Sequence, residues 1–159
     1  MTPKLSSRRR TGSKRGFTLV EIMLVCVIIG IMAMLSYPLI ARNRSNAAGA
    51  RFINDLRQAV HAFELQALQT GYYPLDSGPG IMPPGMEDVL RRPMWDRETP
   101  IGGTWDWAVD QDGIYASVRV VSPTFSPSML QVIDLRFDDG DLSTGSFQSI
   151  GDDVAYIIE

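Results

Sequence analysis

The sequence has very little of the two side chains that most often build covalent or metal-bound frameworks. It contains one Cys and one His among 159 residues. A disulfide framework within the chain and a zinc site made of Cys and His are therefore excluded. The formal net charge of −3 and an apolar content of 45% exclude a disordered or collagen-like chain, and they provide no overall attraction to nucleic acid.

Acidic residues are missing from the beginning of the chain, where the basic residues are concentrated. Residues 1–16 contain six basic residues and no acidic one. Residues 17–159 contain nine basic and 18 acidic residues, an excess of nine negative charges. The near-neutral total therefore combines a basic leader with an acidic chain.

A long apolar run begins directly after the basic leader. It extends over 21 residues from Phe17 to Tyr37, and Glu21 is its only charged side chain. As a helix rising 1.5 Å per residue it spans roughly 30 Å, the thickness of a bilayer core. The basic residues before it place the N-terminus in the cytoplasm. The alternative is an ordinary secretory signal, but the residues that follow, MLSYPLIARN, contain no convincing A-x-A cleavage site.

The junction between the leader and the apolar run carries a specific motif. Residues 16–21 read GFTLVE and follow Lys14-Arg15, which resembles the class III signal of type IV pilins and type II secretion pseudopilins. In that family a prepilin peptidase cuts after the Gly and methylates the new N-terminus. The resemblance implies that residues 1–16 are removed by cleavage between Gly16 and Phe17, and that Phe17 is N-methylated.

Two further residues of the helix fit the same family. Pro38 lies where pilin-like proteins commonly have a helix-kinking proline, 21 residues after Phe17. Together with Gly30 it weakens the helix between them. We therefore predict a kink or loosening between Gly30 and Pro38.

Glu21 is the informative residue within the apolar run. A carboxylate costs about 2.5–3.5 kcal/mol near the centre of a bilayer, and less near its face. Cleavage after Gly16 would create an α-amino group four residues before it, and in a filament the carboxylate can instead meet the amine of a neighbouring subunit. We predict that Glu21 serves assembly; the alternative is a Glu that reaches the lipid headgroups.

Residues 38–159 are predicted to form a soluble domain that begins by continuing the helix. Apolar residues recur at steps of three and four between Phe52 and Leu68, which defines one helical stripe. Gly71 and Pro74 predict that the helix ends near residue 70. Residues 71–103 are rich in Gly and Pro, and only Met86–Arg92 is predicted to be helical there. Gly71–Pro74 looks like the Gly-x-Tyr-Pro that follows the long helix in many major pseudopilins.

Strand signals dominate residues 104–159. Three antiparallel strands are predicted at Thr104–Val109, Gly113–Val121 and Met129–Phe137, with a short fourth at Asp153–Ile158. The expected fold is α+β and pilin-like: a long N-terminal helix, membrane-spanning in its first half, packs on a small antiparallel sheet of three or four strands.

An acidic cluster follows the third predicted strand. Asp138, Asp139 and Asp141 surround Gly140, and closely spaced carboxylates at a Gly turn are ligands that Ca²⁺ prefers. Several major pseudopilins bind Ca²⁺ in a C-terminal loop, but their fuller motif does not match this segment. A calcium site and a solvated turn both remain open, and no other cofactor is expected.

The combined features predict a structural subunit of a type IV pilin-like filament. The lack of Cys outside the apolar run favours a type II secretion pseudopilin, and the alternative is a type IV pilin of an adhesion, motility or DNA-uptake pilus. The expected location is the bacterial inner membrane, crossed once with the soluble domain in the periplasm, and then the filament. Expected partners are copies of the chain, other pseudopilins, the prepilin peptidase and an inner-membrane assembly platform.

Two other classes of function are disfavoured. A membrane-anchored enzyme lacks support because the only His falls within the helix and no G-x-S-x-G, P-loop or G-x-G-x-x-G motif is present. Nucleic-acid binding is not expected, because Arg119 and Arg136 are the only bases after Gly103, against ten acidic residues.

Overall fold

The structure is a computed structural model that describes residues 16–158, without the side chains of Pro38, Leu39 and Ala41. The leader up to Arg15 lies outside the described residues. The chain forms two compact units that divide between Arg42 and Asn43.

A single helix, α1, begins in the first unit and extends into the second. It comprises Leu19–Thr70, 52 residues, and is helical through Gly30 and Pro38; the kink stays a prediction. Its end is fixed by Gly71, which has a φ of +86° and donates its backbone N–H to the Ala67 carbonyl at 2.8 Å. Glycine adopts this left-handed conformation without steric cost, so the predicted helix end is confirmed.

The first unit consists of the apolar part of α1. Its described large apolar side chains, from Phe17 to Ile40, are 47–81% exposed. These side chains have no partner within the described part of the unit that would cover them, and their burial therefore requires surroundings other than the isolated chain.

The second unit contains a four-stranded antiparallel sheet beside the rest of α1. The strands are β1 Thr104–Gln111, β2 Ile114–Val121, β3 Phe147–Ile150 and β4 Asp153–Ile157, in the order β1-β2-β4-β3. Two short helices complete the unit, α2 at Arg92–Trp95 and α3 at Pro127–Phe137. The long helix and the small antiparallel sheet confirm the α+β fold class.

The core lies between the apolar stripe of α1 and one face of the sheet. Phe52 stacks on Trp105 with ring centroids 5.5 Å apart, and Phe63 stacks on Trp107 at 3.8 Å. Trp105 and Trp107 are two residues apart on β1, so their indoles project from the same face of the sheet. Cross-strand pairing places Val120 opposite Trp105 and Val118 opposite Trp107, which extends this buried face onto β2.

The third predicted strand, Met129–Phe137, is wrong: this segment lies within α3. Its buried side chains, Leu130, Ile133 and Asp134, are spaced by three and four residues, as one face of a helix requires. Pro127 lies in the first turn, where the missing N–H costs no hydrogen bond. A β-carbon at Gly49 of α1 would lie 3.2 Å from Ile133, so α3 packs closely on α1.

The short helix predicted at Met86–Arg92 is also wrong. Residues 86–90 form turns, and the helix α2 starts where the prediction ended, at Arg92. Pro93 occupies the first turn of α2, a position that tolerates proline, rather than terminating a preceding helix. Strand β3 was not predicted, because four residues carry too little periodicity; it exists through its pairing with β4.

We predict that replacing Phe63 by Ala destabilises the second unit strongly. Its ring is fully buried and stacks on Trp107, so the free energy of unfolding should fall by about 3–5 kcal/mol. Leu68→Ala is the matched control, because Leu68 is on the same helix but 84% exposed, and its effect should stay within about 0.5 kcal/mol. Urea unfolding of the detergent-solubilised chain, followed by tryptophan fluorescence, measures both; equal losses would contradict the packing.

Candidate functional site

The first turn of α1 is closed by a reciprocal pair of side chains. The Glu21 carboxylate accepts the backbone N–H of Thr18 at 3.0 Å and the Thr18 hydroxyl at 3.1 Å. The Glu21 backbone N–H in turn donates to Thr18 Oγ1 at 3.2 Å. This is a capping box, in which two otherwise unpaired backbone N–H groups at a helix start are satisfied by side chains. The T-x-x-E spacing could have predicted it from the sequence.

The bond between Gly16 and Phe17 lies just before this cap. Gly16, Phe17 and Thr18 precede the helix, and among residues 16–158 no neighbouring group lies within 4 Å of a β-carbon built at Gly16. The Phe17 side chain is also exposed. None of the described residues therefore covers the predicted cleavage site, while the cleavage and the methylation themselves stay predictions.

The apolar part of α1 has the length and composition of a membrane-crossing segment. It is the one helix with these properties in residues 16–158, and none of its most apolar window is buried within the chain. Glu21 thus lies at the first turn of a helix whose apolar surface is uncovered.

A second group of polar residues lies at the end of α3, where the chain enters the loop that contains Asp138, Asp139 and Asp141, here called the acidic loop. Carboxylate oxygens of Asp134, Asp138 and Asp139 lie within 4.8 Å of one another. Asp134 is 0% exposed, and neither of its side-chain oxygens has a hydrogen-bond partner among the described residues. Its burial, followed by the negative charges of Asp139 and Asp138, raises the pKa of Asp134 to about 6, although the nearby Gly140 N–H opposes this shift.

The loop holds the two exposed carboxylates of this group in fixed positions. Asp138 Oδ2 accepts the backbone N–H of Phe147 at 3.0 Å and that of Ser146. Asp139 accepts the Asp141 N–H at 2.8 Å and the Thr144 hydroxyl at 2.7 Å. These bonds close the loop around a pair of carboxylates that already lie beside Asp134.

The structure changes the ligand set that the sequence predicted. Asp138 and Asp139 lie together, but Asp141 is outside the group; its carboxylate accepts the Ser143 hydroxyl at 2.6 Å and N–H at 3.0 Å. Asp134 takes its place and was missed by sequence analysis. Its four-residue spacing from Asp138 indicates neighbouring side chains only on a helix, and this segment was predicted to be a strand.

Comparison with known proteins identifies the N-terminal motif. Residues 12–37 match the family described as "Prokaryotic N-terminal methylation motif". No solved structure matches the chain.

Several curated proteins are similar to about half of the chain or less. A protein named "Type II secretion system core protein G" from Escherichia coli K12 is 33% identical over 85 residues, 54% of this chain and 54% of the relative. The protein of the same name from Klebsiella michiganensis is 38% identical over 65 residues, 41% of this chain and 46% of the relative. That from Vibrio cholerae is 27% identical over 85 residues, 54% of each chain. The chain thus spans about half the length of the curated relatives it matches.

Proposed function

We propose that this chain, a member of the type IV pilin and pseudopilin family by its N-terminal motif, is a structural subunit of a type II secretion pseudopilus. The observation that carries the proposal is the methylation motif at residues 12–37, placed at the start of an uncovered apolar helix. Similarity to core protein G of type II secretion systems supports secretion over an adhesion, motility or DNA-uptake pilus. The role is structural rather than enzymatic.

The first step of the proposed function is processing of the precursor. A prepilin peptidase cuts between Gly16 and Phe17 and methylates Phe17, and the exposed, non-helical chain at this point supports access to the bond. Cleavage removes all six bases of the leader. These bases hold the N-terminus in the cytoplasm until then, so the soluble unit lies in the periplasm and α1 crosses the inner membrane.

The second step is the transfer of the subunit from the membrane to the filament. Copies of the chain, together with other pseudopilins, cover the apolar surface of residues 17–40 that lipid covers before assembly. An inner-membrane platform would drive this extraction. Glu21 then exchanges its contact with the Thr18 N–H for the α-amine of a neighbouring Phe17, which sets the axial position of the incoming helix.

We also propose that the acidic loop binds Ca²⁺ through Asp134, Asp138 and Asp139. Three carboxylate oxygens within 4.8 Å match the hard oxygen ligands that Ca²⁺ selects. Asp134 is buried, and its carboxylate has no hydrogen-bond partner among residues 16–158. This supports a cation over a solvated turn, because a buried carboxylate without a partner is costly. Asp141 serves the fold of the loop through Ser143 rather than the ion.

The proposed processing predicts one specific chemical species. The purified mature chain should begin at Phe17 and carry one N-methyl group, as intact-mass and N-terminal peptide spectrometry would measure. Both Lys residues lie in the leader, so the mature chain should contain no primary amine, and an amine-reactive reagent should label only its methylated N-terminus. An intact Met1, or cleavage after Ser36, would overturn the proposed processing.

Replacing Glu21 by Ala should lower incorporation into filaments by at least about tenfold, because the docked amine would lose its charge partner. Glu21→Gln should be equally defective, since it keeps a hydrogen-bond acceptor but not the charge. Thr18→Val is the matched control: it removes the side-chain part of the cap and leaves the Glu21 charge, so assembly should persist. Filaments sheared from cells and quantified by immunoblot measure this, and wild-type yield from Glu21→Ala would refute the mechanism.

Calcium should raise the melting temperature of the chain. We expect a rise of several degrees at millimolar Ca²⁺ relative to EDTA. Thermal unfolding of the chain in detergent, monitored by tryptophan fluorescence, measures this rise. Asp134→Asn should abolish this shift, whereas the matched variant Asp141→Asn should retain most of it. An unchanged melting temperature in the wild-type chain would leave a solvated turn as the correct interpretation.

A further inference from the structure

A groove rich in arginine runs along the start of the second unit. It has a volume of about 630 Å³ and lies between α1 and the segment that precedes β1. Its lining is Arg44, Ala47, Ala48, Arg51, Arg97, Glu98 and Pro100. Three of these seven residues are arginines, whose guanidinium groups can donate hydrogen bonds to a polar ligand.

The positive charge of this arginine groove is only partly neutralised within the chain. Arg44 and Arg51 are exposed and form no ion pair in the part of the chain that the structure describes. Arg97 Nη2 lies 3.2 Å from Asp55 Oδ2, yet its side chain remains 60% exposed. Since a guanidinium has five N–H donors, Arg97 keeps donors for a further acceptor, and Glu98 is the one acidic side chain in the lining.

The net negative charge of the mature chain favours this groove as a surface for contact between copies. With nine more acidic than basic residues in 17–159, copies of the chain repel one another. Unpaired cations of one copy that lie against carboxylates of the next would offset this repulsion where copies pack closely. Because the mature chain contains no Lys, every such side-chain cation is an arginine, which can bind a carboxylate through two parallel hydrogen bonds.

The acidic loop provides the complementary surface, with Asp141 at its outer side. Asp141 is exposed, and the two hydrogen bonds from Ser143 to Oδ1 hold its carboxylate in place. Its second oxygen has no hydrogen bond among the described residues, and Asp141 lies outside the group of Asp134, Asp138 and Asp139.

We propose that the arginine groove of one subunit binds the Asp141 loop of a second copy. Groove and loop are different surfaces, so the contact is head-to-tail, and such a contact builds an open filament when its rotation does not close into a ring. The inference rests on the proposed function, because it assumes a filament of this chain. It adds a contact between soluble units to the packing of the apolar helices.

Disulfide trapping tests whether the two surfaces meet. In a Cys26→Ala background, which removes the only native thiol, Arg51→Cys combined with Asp141→Cys should give a ladder of cross-linked multimers in oxidised filaments. The matched pair Arg92→Cys with Asp141→Cys should give none, because Arg92 is exposed but outside the groove. Equal ladders from both pairs, or no ladder from the first, would overturn the contact.

Charge reversal tests whether the contact drives assembly. Arg51→Glu and Asp141→Arg should each lower filament yield by at least about tenfold, and the double variant should recover to within about threefold of wild type. All three should keep the fluorescence of the buried Trp95, Trp105 and Trp107, which separates misfolding from lost contact. Full assembly of either single variant, or no recovery in the double variant, would overturn the proposal.

The same experiment separates this inference from the function on which it rests. A wild-type chain that is processed but never forms filaments would refute the pseudopilus. Wild-type filaments with unaffected Arg51→Glu would refute only the groove contact. If Arg51→Glu instead weakens binding of unassembled subunits to phosphatidylglycerol vesicles and the double variant stays defective, the groove binds lipid phosphate and the contact between copies is wrong.

Discussion

The stacking of α1 on the indole rings of β1 is the interaction on which the rest of the second unit depends. Phe63 lies 3.8 Å from Trp107, and the Trp107 N–H donates to the Pro74 carbonyl at 2.9 Å. One indole thus joins the helix, the sheet and the chain that leaves the helix. Trp95, which packs edge-on against Phe63, ties in α2. These aromatic contacts fix the Gly- and Pro-rich segment between α1 and β1 against the helix and the sheet.

The same helix positions the acidic loop through α3. Ile133 of α3 packs on α1 at Gly49, where a β-carbon would approach it to 3.2 Å. This close approach turns the next residue, Asp134, into the interior and presents it to Asp138 and Asp139. The loop itself is closed by glycine: a β-carbon at Gly145 would collide with the Asp138 carboxylate. The proposed ion site therefore depends on packing at a distance from its ligands.

Local signals explain which elements were predictable. Three features depend only on residues close together in the sequence, so the sequence indicates them directly. They are the motif at residues 16–21, the apolar stripe from Phe52 to Leu68, and strands β1 and β2. The segment of α3 contains Val132, Ile133 and Leu135, which suit a strand as well as a helix, and its packing on Gly49 decides the outcome. Asp134 can be identified as a site residue only from the structure, because only a helical segment places it beside Asp138 and Asp139. Thr18 shows the opposite: its three-residue spacing from Glu21 indicates a capping box from the sequence alone, but this pair was not predicted.

In the proposed function, the cap on Glu21 would allow one carboxylate to serve both in the membrane and in the filament. Before assembly, the contacts with Thr18 satisfy the charge at the start of the helix and lower the cost of holding it beside lipid. A cap of this kind contributes about 0.5–2 kcal/mol. Leaving a buried charge without its partner costs about 3–5 kcal/mol, so in the proposed filament pairing with the α-amine of a docked neighbour would outweigh the lost cap. Under the proposed function, the capped carboxylate would leave docking favourable, and the unpaired α-amine at the filament end would select the next subunit.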